Sequence, residues 1–300
     1  MKLPVVHHPA FTADIPSNHR FPMLKFKGVA DTLLADGIVL PGGFVEPAPA
    51  TREQLIRAHD ETYVDQVLSA TVPDKVAREI GFPMTHSVGF RGQCATGGSI
   101  ETGRLALRHG IACNTAGGSH HARRLHGAGF CVFNDVAVAV RALQAEGLIR
   151  RALVVDLDVH QGDGTAEIFR EDPSVFTFSM HSEKNYPVRK VPSDLDIPLP
   201  DNMEDGPYLE ALDEVLEAML RSFDPDIVFY NAGVDPHMDD RLGRLALTDA
   251  GLYERDARVM ASVRGRGLPL ACVLGGGYSK DIPVLARRHT IVHRVASGFA

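Results

Sequence analysis

One apolar run, residues 152–155, constrains the fold more than any other feature of the sequence. The run, ALVV, leads directly into the polar series DLDVH at residues 156–160. A strand whose side chains are apolar on both faces must be covered on both faces, which is typical of a parallel sheet packed between helices.

Short apolar runs of this kind alternate along the chain with segments of helical periodicity. Strands are predicted over residues 111–114, 152–156, 175–179, 226–231 and 270–274. Helices are predicted over residues 51–69, 96–109, 134–146, 207–223, 248–264 and 282–297, with a loop between Gly89 and Gly98. The alternation predicts an α/β fold built from βαβ units, with helices on both faces of the sheet. In such folds the functional site lies beyond the carboxyl ends of the strands.

Length and composition limit the class of protein further. A chain of 300 residues with 44% hydrophobic content can bury a large core, and one α/β domain over residues 1–300 or two small domains would both fit, with no linker or repeat evident. The net charge of −7 argues against direct nucleic-acid binding but is compatible with a cationic peptide substrate. The four cysteines are widely spaced and form no CxxC pair, and we find no apolar leader or membrane span. Both features favour a cytoplasmic protein.

The polar series at the end of the 152–156 strand is a candidate metal site. Because side chains alternate along a strand, Asp156, Asp158 and His160 are expected to point the same way. Burying two carboxylates and an imidazole is costly, and a cation would offset that cost. Oxygen and nitrogen ligands of this kind suit zinc or another divalent metal. The alternative is a set of polar residues that simply hydrogen-bond to one another at a strand end.

A third carboxylate ligand is available after the 226–231 strand. By spacing alone, either Asp239 or Asp240 could supply it. Three protein ligands would leave an open position for water, as a catalytic zinc site requires.

Adjacent histidines follow the 111–114 strand, in the sequence Gly117-Gly118-Ser119-His120-His121. The glycines permit a tight turn, and the two imidazoles could face one reacting centre. Such histidines need carboxylate partners to fix their tautomers, and Asp156 and Asp163 are candidates. Asp163 could instead cap a helix that begins near Ala166.

Two further loops each have two interpretations. The segment 127–131 is either a glycine loop leading to a helix capped by Asn134, or one wall of an apolar channel with Phe130 at its surface. Tyr278 follows three glycines and could either donate a hydrogen bond to an oxyanion or only pack.

Four strings in this order resemble the motifs of the zinc-dependent histone deacetylase family, within the arginase–deacetylase superfamily. They are GGSHHARRLHGAGFCVFND, VVDLDVHQGDGT, NAGVDPHMDDRLG and LGGGYSKD, and they span residues 117–281. The likeness is greatest to the class IV enzymes and their bacterial relatives. The resemblance implies one three-layer α/β/α domain with a central, mostly parallel sheet.

The resemblance also implies the ligands of two ions. The catalytic zinc would be held by Asp158, His160 and Asp240. Asp240 is selected over Asp239 because the family's third ligand lies five residues after the aspartate that Asp235 matches. A structural potassium ion beside the zinc would be held by Asp156, Asp158, His160, Ser179 and Met180.

The catalytic residues and the substrate tunnel are implied in the same way. The catalytic set would be His120, His121, Asp156, Asp163 and Tyr278, with the two histidines paired to Asp156 and Asp163 respectively. The walls of the acyl-lysine tunnel would be formed by Gly129, Phe130, Tyr186 and Gly276. Ser119 stands where many family members carry an aromatic residue, so the foot of the pocket is expected to be altered.

The implied function is zinc-dependent hydrolysis of the amide of an acylated lysine on a protein or peptide. His121 would serve as general base and acid, and Tyr278 would stabilise the oxyanion. The acyl group could be acetyl or a longer fatty chain. One alternative is an amidohydrolase of acylated polyamines or other small acyl-amines, or an arginase-like enzyme. The other is a non-catalytic acyl-lysine-binding module, although all the motif residues that catalysis needs are present.

Overall fold

A single seven-stranded sheet forms the centre of the protein. The computed structural model describes residues 2–300. The strands are β1 (Val5–Val6), β2 (Ile111–Asn114), β3 (Ala152–Asp156), β4 (Val175–Ser182), β5 (Leu195–Leu199), β6 (Ile227–Asn231) and β7 (Leu270–Val273). Their spatial order is β1-β2-β7-β6-β3-β4-β5, and every neighbouring pair is parallel. The prediction of a mostly parallel sheet in one domain is therefore confirmed.

Helices cover both faces of this sheet. They are α1 (Lys25–Ala35), α2 (Arg52–Leu55), α3 (Glu61–Leu68), α4 (Asp74–Ile80), α5 (His86–His109), α6 (Asp135–Ala145), α7 (Asp163–Phe169), α8 (Asp205–Ser222), α9 (Asp249–Gly265), α10 (Ile282–His289) and α11 (Ile291–Ser297), with a short 3₁₀ helix at Pro9–Phe11. Helix α5 packs on α6, β2 and β7, while α9 packs on α8, α11 and β7. Within residues 2–300, no helix combines the length and apolar character needed to cross a bilayer.

Three of the expected elements differ from the structure. The predicted helix over 51–69 is two helices, because Asp60 accepts hydrogen bonds from the backbone N–H groups of Thr62 and Tyr63 and so starts α3 anew. The predicted helix over 282–297 is likewise divided at Thr290.

The loop expected between Gly89 and Gly98 is wrong, since these residues lie inside α5. Glycine lowers helix propensity, but here it is required by close packing. A Cβ added at Gly97 would lie 1.9 Å from the carbonyl oxygen of Ala48. Tertiary contact therefore outweighs the local preference of the sequence.

The register of the sheet brings the polar strand ends together. Asp156, the last residue of β3, is aligned with Ser179 on β4 and with Asn231 on β6. The loops that follow β2, β3, β6 and β7 consequently meet at one edge, where a functional site of an α/β fold is expected.

Candidate active site

Three buried residues form a compact group of possible metal ligands at this edge. One ligand atom each from Asp158, His160 and Asp235 lies within 4.8 Å of the others. The Nδ1 atom of His160 is 3.0 Å from Oδ1 of Asp158 and 3.1 Å from Oδ2 of Asp235. Burial, followed by the negative charge of Asp158, raises the pKa of Asp235 to about 7. Two buried carboxylates that oppose each other's ionisation, with an imidazole between them, are a donor set that suits a divalent cation.

Asp240, the expected third ligand, is held differently. Its Oδ1 accepts hydrogen bonds from the backbone N–H groups of Leu242 and Gly243, at 2.8 and 3.0 Å. Its Oδ2 accepts one from the N–H of Tyr278, at 2.7 Å. The structure thus brings Asp235 to the compact group and places Asp240 against the backbone of Tyr278.

The neighbouring carboxylate, Asp239, has a surface role. Its side chain is 71% exposed and lies 3.5 Å from the guanidinium group of Arg288. Asp240 is partly buried, so of the two spacing alternatives only Asp240 faces the interior. The sequence did not predict Asp235 as a ligand. Its position four residues beyond the end of β6 is the feature that could have suggested it.

Each of the adjacent histidines contacts a buried carboxylate. Nδ1 of His120 donates to Oδ2 of Asp156 at 2.7 Å, and Nδ1 of His121 donates to Oδ1 of Asp163 at 2.6 Å. The two imidazole ring centroids are 4.1 Å apart. These are the partners expected for the two histidines.

The pKa values of the two imidazoles are shifted in opposite directions. Burial lowers the pKa of His120, but the charges of Asp156 and Asp158 outweigh it and raise the pKa to about 9. Burial and the charge of His120 lower the pKa of His121 to about 4, although Asp163 opposes them. These shifts favour the charged form of His120 and the neutral form of His121. A neutral imidazole whose Nδ1–H is held by a carboxylate presents a free Nε2 lone pair, which is what a general base requires.

Additional hydrogen bonds fix the two carboxylates. Oδ1 of Asp156 accepts from the side-chain amide of Asn231 at 3.0 Å. Oδ2 of Asp163 accepts from the Arg123 guanidinium at 2.7 Å. Helix α7 begins at Asp163 itself, with Gly162 as its N-cap and no side-chain cap. Asp163 therefore orients His121 and does not cap the helix.

A pocket open to the surface is lined by both histidines. Phe130 lines this pocket, and its ring centroid is 6.0 Å from that of Tyr278. The Tyr186 ring packs edge-on against His121, with the two ring centroids 4.7 Å apart. Gly129 lies against both rings, because a Cβ added there would be 2.7 Å from His121 and 3.1 Å from Tyr186. Asn134 caps α6, as the first interpretation of the 127–131 segment expects, and Phe130 of the same segment lines the pocket.

Gly276 and Tyr278 occupy the loop after β7. The N–H of Gly276 donates to Oδ2 of Asp158 at 2.7 Å, so Gly276 supports the carboxylate group as well as lining the pocket. Tyr278 is 8% exposed, and its ring centroid is 6.0 Å from that of His160. Burial, with the charge of Asp235 next, raises the pKa of Tyr278 well above its ordinary value.

Two buried cations line the same pocket and have no motif in the sequence. Lys25 of α1 is 1% exposed, and its Nζ donates to the carbonyl oxygens of Gly275 and Gly277. Arg91 of α5 is also buried, and its Nε donates to the carbonyl of Phe11. Burial lowers the pKa of Lys25 to about 8 and that of Arg91 to about 10. Both residues come from segments far from the motifs, so only the tertiary structure identifies them.

The residues expected to hold potassium lie at the ends of neighbouring strands. Ser179 is aligned with Asp156 across the β3–β4 pair, and its Oγ is 2.9 Å from Nδ1 of His181. Met180 follows on β4 and is buried. The structure thus places Ser179 beside Asp156, with Met180 next to it in the strand.

Comparison with known proteins bears directly on this site. A sequence model of the histone deacetylase domain matches residues 19–294 of the chain. The chain belongs to the histone deacetylase family. The motif strings quoted above all lie within the matched segment, and family membership identifies the protein as a hydrolase.

Several relatives of this deacetylase-family protein are known. An uncharacterized protein of Picosynechococcus is 50% identical over 296 residues and 99% of either chain. Histone deacetylase 2 of Arabidopsis thaliana is 33% identical over 88% of this chain and 70% of its own length. A probable deacetylase of Archaeoglobus fulgidus is 34% identical over 79% and 69%.

Solved structures agree with this assignment. The crystal structure of an HDAC homolog from Aquifex aeolicus has a TM-score of 0.84 and 26% sequence identity, covering 99% of this chain and 84% of that one. An HDAC homolog complexed with SAHA gives the same values. These structures share the fold described above.

Proposed function

We propose that this protein hydrolyses the amide bond of acylated lysine with the help of one zinc ion. Asp158, His160 and Asp240 would hold the zinc, with Asp235 beside them. The observation that carries the proposal is His121, held by buried Asp163, next to a cluster of carboxylates and lining the same pocket as Tyr278. Asp156, Asp158, His160, Ser179 and Met180 would hold a structural potassium ion.

The chain's own residues supply the proton transfers of the reaction. When bound, zinc supplies Lewis acidity that polarises the amide carbonyl and makes a water molecule more acidic. His121 accepts the proton of the attacking water at Nε2 and later delivers a proton to the leaving lysine amine. Asp163 fixes the tautomer of His121 and stabilises its cationic form.

Tyr278 and His120 stabilise the negative charge that develops on the carbonyl oxygen. The raised pKa of Tyr278 keeps its phenol protonated, so it can donate a hydrogen bond to that oxygen. His120 carries a positive charge at neutral pH, because of Asp156 and Asp158. The combination favours the tetrahedral transition state over the planar amide.

The pocket suits both parts of the substrate. Phe130 lines the pocket and Tyr186 packs edge-on against His121, so that both rings would provide apolar surface for the lysine stem. Lys25 and Arg91 place positive charge in the pocket, where the carboxylate product would form. All four cysteines are free and buried, which supports a cytoplasmic location as part of this proposal.

An acyl-chain panel tests the proposal. Zinc-loaded protein is offered lysine peptides and polyamines that carry acetyl or longer acyl groups, with and without chelator. We expect hydrolysis of lysine peptides that stops when chelator is added. Absence of turnover on every lysine peptide would refute the proposal, and cleavage of acylated polyamines alone would assign the protein to the small-amine amidohydrolases.

Replacement of Tyr278 by phenylalanine tests the oxyanion donor. We expect kcat to fall by about 100- to 1,000-fold because one preorganised donor is lost. The matched control is Tyr253→Phe, which alters a half-exposed tyrosine on α9. A kcat of Tyr278→Phe within a factor of two of the control would remove Tyr278 from the mechanism.

A further inference from the structure

A second groove adjoins the entrance of the catalytic pocket. It has a volume of about 940 Å³ and runs between the segment 12–24 and the loop after Tyr278. Phe21 lines both the groove and the catalytic pocket, so the two share a wall. On the far side, Arg241 and Ser279 follow directly after Asp240 and Tyr278 in the chain. A peptide whose modified lysine enters the catalytic pocket would therefore lie next to this groove.

The groove is positively charged, although the protein as a whole is acidic. Arg20, Arg241 and Lys280 line it and are exposed. Within residues 2–300, none of the three lies within 4 Å of a carboxylate in an ion pair. Asp14 is the single acidic side chain among the described lining residues. Against a net charge of −7, this concentration of unpaired cations creates a local field that attracts anions.

One of these cations also touches the substrate pocket. The guanidinium carbon of Arg20 lies 4.8 Å from the ring centroid of Phe130, the residue that lines the catalytic pocket. An anionic group bound by Arg20 would therefore sit close to the lysine stem. Binding in the groove and binding in the pocket can thus involve the same peptide.

The rest of the groove suits an extended peptide backbone. Pro16, Pro22, Met23 and Ile282 give it apolar surface between the cations. Its size falls near the upper end of the range of about 300–1,000 Å³ found for ligand pockets. Apolar surface of this kind accommodates the backbone and the aliphatic parts of side chains of a bound peptide. The cations at the edges of the groove select the charged ends of those side chains.

We propose that this groove selects acyl-lysine substrates whose neighbouring residues are acidic. The inference rests on the proposed lysine deacylase activity and names its substrate class: peptide segments in which aspartate or glutamate flanks the modified lysine. The complementary carboxylates pair with Arg20, Arg241 and Lys280, whereas flanking lysine or arginine residues are repelled. Basic tails are accordingly the poorest substrates.

A matched peptide series tests this inference. Three peptides carry the same acyl-lysine and differ only in flanking residues, which are glutamate, serine or arginine on both sides. For the zinc-loaded wild type we expect kcat/KM to be roughly tenfold higher for the acidic than for the neutral peptide, since a few exposed ion pairs are formed. The preference is expected to shrink as ionic strength rises, because salt screens exposed charges.

Charge reversal in the groove supplies the decisive comparison. Arg241→Glu combined with Lys280→Glu should reverse the ranking, so that the basic peptide becomes the best substrate. The matched control is Arg150→Glu combined with Arg221→Glu, two exposed arginines near the amino ends of β3 and β6. The control should keep the wild-type ranking. The neutral double variant Arg241→Gln with Lys280→Gln, checked by thermal unfolding, covers the case in which reversal impairs folding, and it should lose the preference.

The outcomes separate this inference from the function on which it rests. If the wild type cleaves none of the three peptides, the deacylase proposal itself fails, and with it the inference. If the wild type cleaves all three with equal kcat/KM at low salt, the inference alone is overturned. It is equally overturned if the groove variants keep the wild-type ranking.

Discussion

Substitution of Arg255 tests how the loops of the candidate site are held in position. It is fully buried in α9, and its NH1 donates to the carbonyl oxygens of Leu157 and Gly233, at 3.2 and 2.7 Å. Leu157 immediately precedes Asp158, and Gly233 lies two residues before Asp235. One guanidinium group therefore connects the two loops that carry the carboxylate group. We expect Arg255 to be a positioning residue for metal binding.

The cost of removing Arg255 follows from its charge partner. Its Nε donates to Oδ1 of Asp256 at 3.0 Å, and Asp256 is itself buried. Arg255→Met leaves that carboxylate without its counter-charge, which typically costs about 3–5 kcal/mol of the free energy of unfolding. For a domain of this size the loss corresponds to a fall in Tm on the order of 10 °C.

A second variant separates stability from metal positioning. In Arg255→Met with Asp256→Asn, the unpaired charge is gone and the amide oxygen can still accept the Tyr230 hydroxyl that now bonds to Asp256. We expect this double variant to recover most of the lost stability. It should still bind zinc about 10- to 100-fold more weakly than the wild type, as is usual when groups that orient metal ligands are altered. The two loop carbonyls have lost their donor in both variants.

Urea unfolding of the metal-free protein and zinc titration against a competing chelator measure these two effects. Arg255→Lys serves as the conservative comparison and should restore part of the zinc affinity. Wild-type zinc affinity in the double variant would refute the positioning role. A loss of less than about 1 kcal/mol in Arg255→Met would refute the argument from the buried charge.

Two further predictions concern the metal ligands and the dependence of stability on pH. Asp240→Ala is expected to lower zinc affinity by more than about 100-fold and Asp235→Ala by about 10- to 100-fold, because we propose Asp240 as a ligand and Asp235 as its neighbour. The opposite ranking in a zinc titration would make Asp235 the ligand. His59 is buried, donates from Nδ1 to the carbonyl of Arg123 and accepts at Nε2 from the N–H of Asn134, and burial lowers its pKa to about 4. The His59 side chain takes up a proton near pH 6.5 in the unfolded chain but only near pH 4 in the folded protein. Neutral His59 therefore contributes about 3 kcal/mol to the free energy of unfolding above pH 6.5, and this contribution is lost as the pH falls to 4. In urea unfolding across this range, His59→Gln should show a weaker decline than the wild type, and an unchanged slope would contradict the assignment.

Parts of the fold followed from local sequence alone. The strand over 152–156 and the helix that begins after Asn134 have the expected bounds, because apolar runs and side-chain caps act through neighbouring residues. The start of α5 could not be predicted in this way. Its glycines disfavour a helix locally, and close tertiary contacts, such as those of Gly97 with Ala48 and of Gly89 with the carbonyl of Val67, explain why they are there.

The candidate site divides in the same manner. The residue types at His120, His121 and Tyr278, and the order of the four motifs, are properties of the sequence and were sufficient to identify the family. Which carboxylate completes the group around Asp158 depends on how two loops meet, and the structure brings Asp235 there. The motif spacing selected Asp240 and could not indicate that Asp235 lies closer to Asp158 and His160, because spacing along a chain does not fix distances between loops.

The sequence by itself determined the parallel sheet, the edge at which the site lies and the chemistry that the site residues offer. Only the tertiary structure decided that Lys25 and Arg91 enter the catalytic pocket, and that Arg20 and Lys280 face a common groove. The physical reason is the separation along the chain of the residues that interact. Strand and helix formation depend on residues a few positions apart, whereas electric fields and cavities arise from residues that are distant in the chain and meet only when the protein folds.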